Sequence, residues 1–508
     1  MKKIISILLF ITLIIGSISG CSNQQQETSQ QKADEGRVLN YGLEGDIDTT
    51  DPNYRTLAVE HTLFRQIYEP LYFVNHDTGD MENRLAESYE VSDDGLMYTF
   101  KIKEGVKFHD GTEVKAEDVA FTIESAAKST YISSTVANFD STDVIDDYTL
   151  EVKLKAPYAS FLENVVQLYI MPKAYYESIG SEAFAKAPIG CGAYKFVSRV
   201  VGSSITLEAF KDYYRGEASI KNVSMKIFSD SAASALALEA GDIDIYGIKA
   251  TDYERFSKMN KISLYQAETP HITTLHMNTE VKPFDNPAVR KAINYSLNRQ
   301  FMMDVNLEGL GTVTSNIVSP LMFGYDENAA TYDYNPDKAK QILAEAGIET
   351  PINIGKIRGT AFGEDLAPII LENLAAIGII SEGIEITDGF IEDACKGNYD
   401  IGIMGLVVYN GVAWDMDAYS ILFDSKAIDA FNLPRINNPR IDELFEIGRT
   451  ATNEEERLEV YKELNRLVQE DSGWAMLYSM YNNLACDSNL NINFHSPGFV
   501  YINECSWK

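Results

Sequence analysis

"GVKFHDGTEVKAEDVAFTIE", residues Gly105–Glu124, sets a histidine beside an aspartate and follows them with a run of acids. Such a cluster is either a catalytic or metal site or a piece of scaffold, and its neighbours decide which. Upstream, "MYTFKIK" (Met97–Lys103) alternates, with Tyr98, Phe100 and Ile102 on one side and Thr99, Lys101 and Lys103 on the other. That period of two marks a half-buried strand. Asp110-Gly111 is a turn dipeptide, because glycine accepts positive φ. From Ala116, "AEDVAFTIE" is helical, and Glu117 and Asp118 fall in its first turn, where the helix dipole favours anions. Each acid has a local structural task, and His109 sits at the lip of the turn. The stretch reads as scaffold.

Other segments repeat this grammar. In "YNPDKAKQILAEAG" Asn335 can cap, Pro336 suits the first helical position and Gly347 suits the stop. "SAASALALEAG" is a helix ended by Gly241 that feeds the strand "DIDIY", whose Asp242 and Asp244 share a face and read as solvated. "NEEERLEVYKELNRLVQED" (Asn453–Asp471) places Leu458, Tyr461, Leu464 and Val468 on one helical face, its glutamates on the wet one. Helices alternating with short strands indicate α/β layering.

The chain has 508 residues, enough for about three domains. Its hydrophobic share, 45%, is that of a globular protein, and 29 tyrosines are a heavy load of one amphipathic aromatic. A formal net charge of −32 excludes nucleic acid as a partner, since its binders carry basic stripes. There is no G-x-S-x-G, no H-E-x-x-H and no phosphate-cradling glycine loop. His271 and His276 lie five apart in "PHITTLHMN", which reads as a strand, so they face opposite sides. "DIDTTD" (Asp46–Asp51) lacks the glycine and distal glutamate of a calcium loop. We expect no enzyme, no cofactor and no metal site.

The first residues set the compartment. Lys2 and Lys3 precede "IISILLFITLII" (Ile4–Ile15), which as a helix spans about 18 Å, short of a bilayer core of about 30 Å. "ISGC", ending at Cys21, resembles the lipobox of bacterial lipoproteins, which implies a signal peptide over 1–20 and a lipid on Cys21. The polar stretch from Ser22 to Asp34 reads as a tether reaching about 20 Å. Cys191, Cys395, Cys486 and Cys505 show no C-x-x-C spacing; they are four thiols or up to two disulfides.

"LAESYEVSDDGLMYTFKIKEGVKFHDGTEVKAEDVAFTIE" (Leu85–Glu124) closely resembles the signature of the family 5 extracellular solute-binding proteins, the peptide- and nickel-type receptors of ABC importers. "APIGCGAYKF" (Ala187–Phe196), with Cys191 and Ala193 as departures, follows in the family's order. So do "LALEAGDIDIY" (Leu236–Tyr246), "FDNPAVRKAINYSLNRQ" (Phe284–Gln300) and "YNPDKAKQILAEAGI" (Tyr334–Ile348). The resemblance implies a two-lobed α/β fold that closes on solute, with an additional small domain. Lobe I would take 37–82, 187–272 and 488–508, domain II 83–186 and lobe III 273–487. It implies a monomer, a membrane contact through the lipid only, and two permease and two ATPase partners.

The resemblance also points to a site. The strand "YDIGIMGL" (Tyr399–Leu406) leads into "VVYNGVAWDMDAYS" (Val407–Ser420), which corresponds to the family's ligand-contacting segment. Tyr409 and Trp414 offer stacking faces, and Asn410, Asp415 and Asp417 polar anchors. Asp415 or Asp417 is expected to hold a peptide's α-amine, since a buried ammonium needs an acid. Thr56 and His271 are expected as further contacts. Peptide-binding members carry an acid earlier in this loop, where Val412 or a neighbour stands here. "GVAWDMDAY" is similar to the nickel-chelate receptors' loop, but "VQLYIMPKAYY" (Val166–Tyr176) lacks their arginine. A short peptide is the expected ligand. A metal chelate, or a surface sensor or adhesin without transport, are the alternatives.

Overall fold

Two long antiparallel strands, Ile262–Met277 and Trp474–Asp487, form the spine of the molecule. In the computed structural model the described residues are 36–75, 80–360, 363–387, 389–407 and 415–508. The register of the spine shifts between Glu268 and Ile272, around Pro270, which has no backbone N–H to give the ladder. On one side of that irregularity Trp474–Asp487 pairs with Ile245–Ile248, and the sheet continues through Val38–Glu44, Asn222–Phe228, Ser204–Ala209 and Tyr194–Val200. On the other side Ile262–Met277 pairs with Ile401–Val407, and the sheet continues through Ile357–Gly359 and Ile384–Ile386. The spine therefore belongs to both lobes and crosses between them at the bulge.

Each part has its own core. The first lobe buries Leu39, Leu43, Phe64, Tyr194, Val223 and Ile502 together, so the chain's end packs back on its beginning. The second buries Leu275, Ile293 and Leu374 on one face of its sheet and Tyr419, Phe445 and Leu464 on the other. The helix Glu454–Asp471 presents Tyr461, Leu464 and Val468 inward as expected, but Arg457, not Leu458, shares their burial. Asn335 caps Pro336–Glu345 through the Lys338 N–H at 2.9 Å, and Gly347 follows at φ +68°.

The small domain is a four-stranded sheet, Ala86–Val91, Met97–Ile102, Thr149–Leu154 and Phe139–Asp146 in that order, under the helix Ala116–Lys128. Tyr98, Phe100 and Ile102 face its core, as their alternation predicts. Asp118 accepts the Lys115 N–H at 2.9 Å and the Lys173 N–H at 2.8 Å, so this acid tethers the helix start to a distant turn. His109 is scaffold with a definite task. Its Nδ1 accepts the Gly190 N–H at 3.3 Å, and its Nε2 lies 3.0 Å from the Gly192 carbonyl, a donor's position. The neutral Nε2–H tautomer thus bolts the small domain to the first lobe. Glycines are required there: a Cβ on Gly190 would sit 2.1 Å from the Ile67 carbonyl oxygen, and one on Gly192 2.6 Å from that of Gln66.

Two readings need amendment. Asp244 is buried rather than solvated, accepting from the Asn40 N–H at 2.7 Å beside Arg37. Cys191, Cys395, Cys486 and Cys505 are all free thiols, so the disulfide alternative falls.

Candidate functional site

A cleft of about 810 Å³ opens where the spine crosses between the lobes. Its floor is the carboxyl half of Val38–Glu44 with Tyr246 and Gly247 of the adjacent strand. Those two parallel strands pair only at Tyr41 with Ile245, so beyond that point they splay, and the edge of Gly42, Leu43 and Glu44 faces the cavity. Open α/β sheets bind ligands at such carboxyl ends. Tyr131, Ile132 and Thr135 of the small domain form one wall, and Thr269, His271 and Asn482 of the spine another.

The remaining wall is the segment from Arg55 into the helix Ala58–Ile67, and its placement follows from one buried acid. Glu60 is 0% exposed. Its Oε1 accepts the N–H groups of Asp48 and Thr49, both at 3.1 Å, and its Oε2 those of Thr56 at 2.8 Å and Leu57 at 3.0 Å. A carboxylate in the first turn thus gathers four otherwise orphaned donors and fastens the 48–57 loop to the helix. That loop carries Arg55 and Thr56 to the cavity, and the helix carries His61 and Arg65, four apart and therefore on one face. Ser129, donating to the Asn53 carbonyl at 2.6 Å, ties the same loop to the small domain.

Burial dominates the electrostatics. It pulls the Arg55 guanidinium down to about 10 and the His271 imidazole down to about 4. His61 is held well below its ordinary range by burial and by the Arg55 and Arg65 charges, and its Nδ1 lies 3.0 Å from the Tyr169 hydroxyl. Both histidines are neutral near pH 7. Arg65 stacks 3.5 Å over the Phe499 ring.

Thr56 and His271 line this cleft. Tyr409, Asn410 and Trp414 lie outside the described residues, but the strand leading to them ends at Val407, directly opposite His271. Asp415 and Asp417 are placed elsewhere. Asp415, 1% exposed, pairs with Arg457, which reaches Ser160 at 3.2 Å and Glu163 at 3.7 Å in the small domain. Asp417 accepts from Arg449 Nε at 2.6 Å, and burial raises its carboxyl despite that charge. Neither lines the cleft. In this structure each of the two carboxylates is paired with a guanidinium, apart from the cleft that Thr56 and His271 line. Arg55, His61, Arg65 and Phe499 also line the cleft and were not singled out from the sequence. The one signal for the first three was the stretch "RTLAVEHTLFR", with three basic or titratable side chains and one acid in a chain this acidic.

This assembly is that of a two-lobed solute receptor, and comparison with known proteins agrees. The model for "Bacterial extracellular solute-binding proteins, family 5 Middle" matches residues 80–430. The oligopeptide-binding protein AppA of Bacillus subtilis is 28% identical, covering 99% of this chain and 98% of its own. Its solved structure, in complex with a nonapeptide, aligns over 93% of this chain and 99% of that one at a TM-score of 0.75 and 27% identity. Heme-binding protein A of Haemophilus influenzae is 29% identical over 82% of this chain and 83% of its own. The ABC transporter substrate-binding protein CtaP of Listeria monocytogenes superposes at a TM-score of 0.85, with 26% identity, over 93% of this chain and 99% of that one. The chain belongs to family 5 of the bacterial extracellular solute-binding proteins. It is an extracytoplasmic binding component of ABC import and not an enzyme. No described helix is long and apolar enough to cross a membrane.

Proposed function

We propose that this receptor binds short peptides in the cleft at the lobe crossing and delivers them to an ABC permease driven by two ATPases. The observation that carries the reading is the splayed strand edge at Gly42–Glu44 inside a cavity of about 810 Å³. A free strand edge offers backbone groups to a peptide's amides whatever its side chains, the basis of strand-addition recognition. The volume lies in the upper range of small-molecule sites. AppA, which is similar along its whole length, is an oligopeptide-binding protein. Tyr409 and Trp414 are assigned the first side-chain pocket, and Thr56 and His271 polar contacts.

A metal chelate is the second reading, favoured by two neutral histidines, His61 and His271, on one cleft. Calorimetry with a tri- to pentapeptide pool, a nickel–histidine chelate and haem separates the two. Micromolar or tighter heats from the pool support the peptide reading. Heats from a chelate alone overturn it.

The anchor is proposed on Cys21, which places a monomeric body on the outer face of the cytoplasmic membrane. Two acyl chains, at about 0.8 kcal/mol per buried CH₂, hold such a protein stably. Cys21→Ala should abolish metabolic labelling with palmitate; unchanged labelling contradicts the anchor. Deleting the receptor in a strain without redundant ones should stop peptide uptake. Intact uptake would favour a sensor or adhesin.

A further inference from the structure

The arginines of this chain are distributed in an unequal way. Among the described residues nearly all have a carboxylate partner: Arg37, Arg84, Arg199, Arg215, Arg255 and Arg290 do. So do Arg358, Arg435, Arg440, Arg449, Arg457 and Arg466. Arg299 lacks an acid but is buried and spends its donors on the carbonyls of Met476, Asn294 and Tyr332 and on the Asn294 side chain. Arg55 and Arg65 are the remaining two, and both line the cleft. In a protein of formal net charge −32, acids are not scarce. Neither of these two guanidiniums has an ion-pair partner among the described residues, although the Glu60 charge lies near enough to Arg55 to favour its charged form.

The local structure shows why. Glu60, the acid nearest in sequence, has both oxygens occupied by four backbone N–H groups, and it makes no ion pair with either arginine. Arg55 is 7% exposed and spends Nη1 on the Pro52 carbonyl at 3.0 Å. Arg65 sits over the Phe499 ring, its Cζ 3.5 Å from the centroid, and has no ion pair among the described residues. His61, between them on the helix, is neutral and therefore adds no repulsion to a third donor; its Nε2 has no protein partner among the described residues. Glu44 is the one acid among the described residues lining the cavity. A buried guanidinium without a counter-charge is costly, and an anion arriving with the solute removes that cost.

We infer that Arg55, Arg65 and His61 form an anion subsite in the cleft that takes a carboxylate of the ligand. Resting on the peptide reading, the group it takes is the free α-carboxylate or an acidic side chain of a short peptide. A guanidinium such as that of Arg65 can hold a planar carboxylate in a bidentate manner. Arg55 approaches from the loop and His61 donates from the helix. The opposite, amine end of the peptide then lies toward Glu44.

The test compares acid with neutral ligand. Calorimetry is run with a tri- to pentapeptide pool bearing free carboxyl termini and with the same pool amidated. The full-length receptor, Arg65→Gln and Arg55→Gln are each titrated, with circular dichroism as the check of fold. The receptor should prefer the free acids by about tenfold or more, the effect of a hydrogen bond to a charged group. Arg65→Gln should bring the ratio of acid to amide affinity close to one. An equal affinity for acids and amides, or a ratio that survives both substitutions, overturns the subsite. If neither pool binds, the peptide reading falls, and the subsite is read with haem against haem dimethyl ester. Preference for the diacid, lost in Arg65→Gln, upholds it; no acid-selective binding by peptide or haem sinks it. Arg65 is partly solvent-facing and tolerates glutamine better than Arg55, so a misfolded Arg55→Gln does not remove the decision.

Discussion

Asp415 and Arg457 are both buried, and removing the acid leaves a guanidinium inside the protein with Ser160 and Glu163 beside it. Asp415→Ala should therefore cost about 3–5 kcal/mol in urea denaturation. The double substitution Asp415→Ala with Arg457→Leu should cost less than the sum of the two single ones. Strict additivity would contradict the pairing. His109 gives a pH-dependent effect. Burial pushes its imidazole from 6.5 down to about 4, and its Nδ1 must stay unprotonated to accept the Gly190 N–H. Its contribution is full above pH 6.5 and is lost as pH falls toward 4, because the unfolded chain takes up the proton first. The slope is at most about 1.4 kcal/mol per pH unit. Asp118 and Glu69 act in the opposite sense, since burial raises them to about 6 and about 7 and stability declines as pH rises through those values. The difference between the wild type and His109→Gln isolates the histidine: the variant should lose less stability between pH 6.5 and 4. Parallel pH profiles would contradict its role. At this scale the sequence showed which residues are polar anchors but not their partners. Arg457 stands far along the chain from Asp415, and no local pattern joins a loop acid to a basic side chain on the wet-looking helix Glu454–Asp471.

The element that sets the site is the helix Ala58–Ile67, whose start is held by Glu60. Glu60→Ala leaves four backbone N–H groups without their acceptor and should destabilise the protein by at least about 2 kcal/mol. It should also weaken solute binding, because Arg55 and Thr56 ride on the released loop. A variant with unchanged unfolding midpoint and unchanged affinity would contradict this. Elements were the most legible level. The alternation at Tyr98, Phe100 and Ile102 and the Asn335-Pro336 start of Pro336–Glu345 were visible because strand period and helix caps are local chemistry. The glycines of "APIGCGAY" were visible only as a motif. Their reason, contact with the carbonyls of Gln66 and Ile67, is a tertiary one.

Across the whole molecule, two lobes share the spine strands Ile262–Met277 and Trp474–Asp487, and the register shift at Glu268–Ile272 lies at the cleft they bound. Each lobe keeps its own buried cluster on either side of these two strands. Asp415 and Arg457 set the start of the Met416–Tyr419 turn against the small domain. The α/β layering was legible from helices alternating with short strands, and the two lobes only through the family resemblance; the cleft was not. It is built from segments as far apart as Gly42, Tyr131, Thr269 and Phe499, which only the sheet order brings together. The most direct test of a peptide-binding cleft is native mass spectrometry of the receptor purified without denaturation, with the bound solute released and sequenced. The account predicts short peptides of varied sequence with free carboxyl termini, displaced when a synthetic one is added in excess. A single non-peptide solute, undisplaced by peptide, would contradict it.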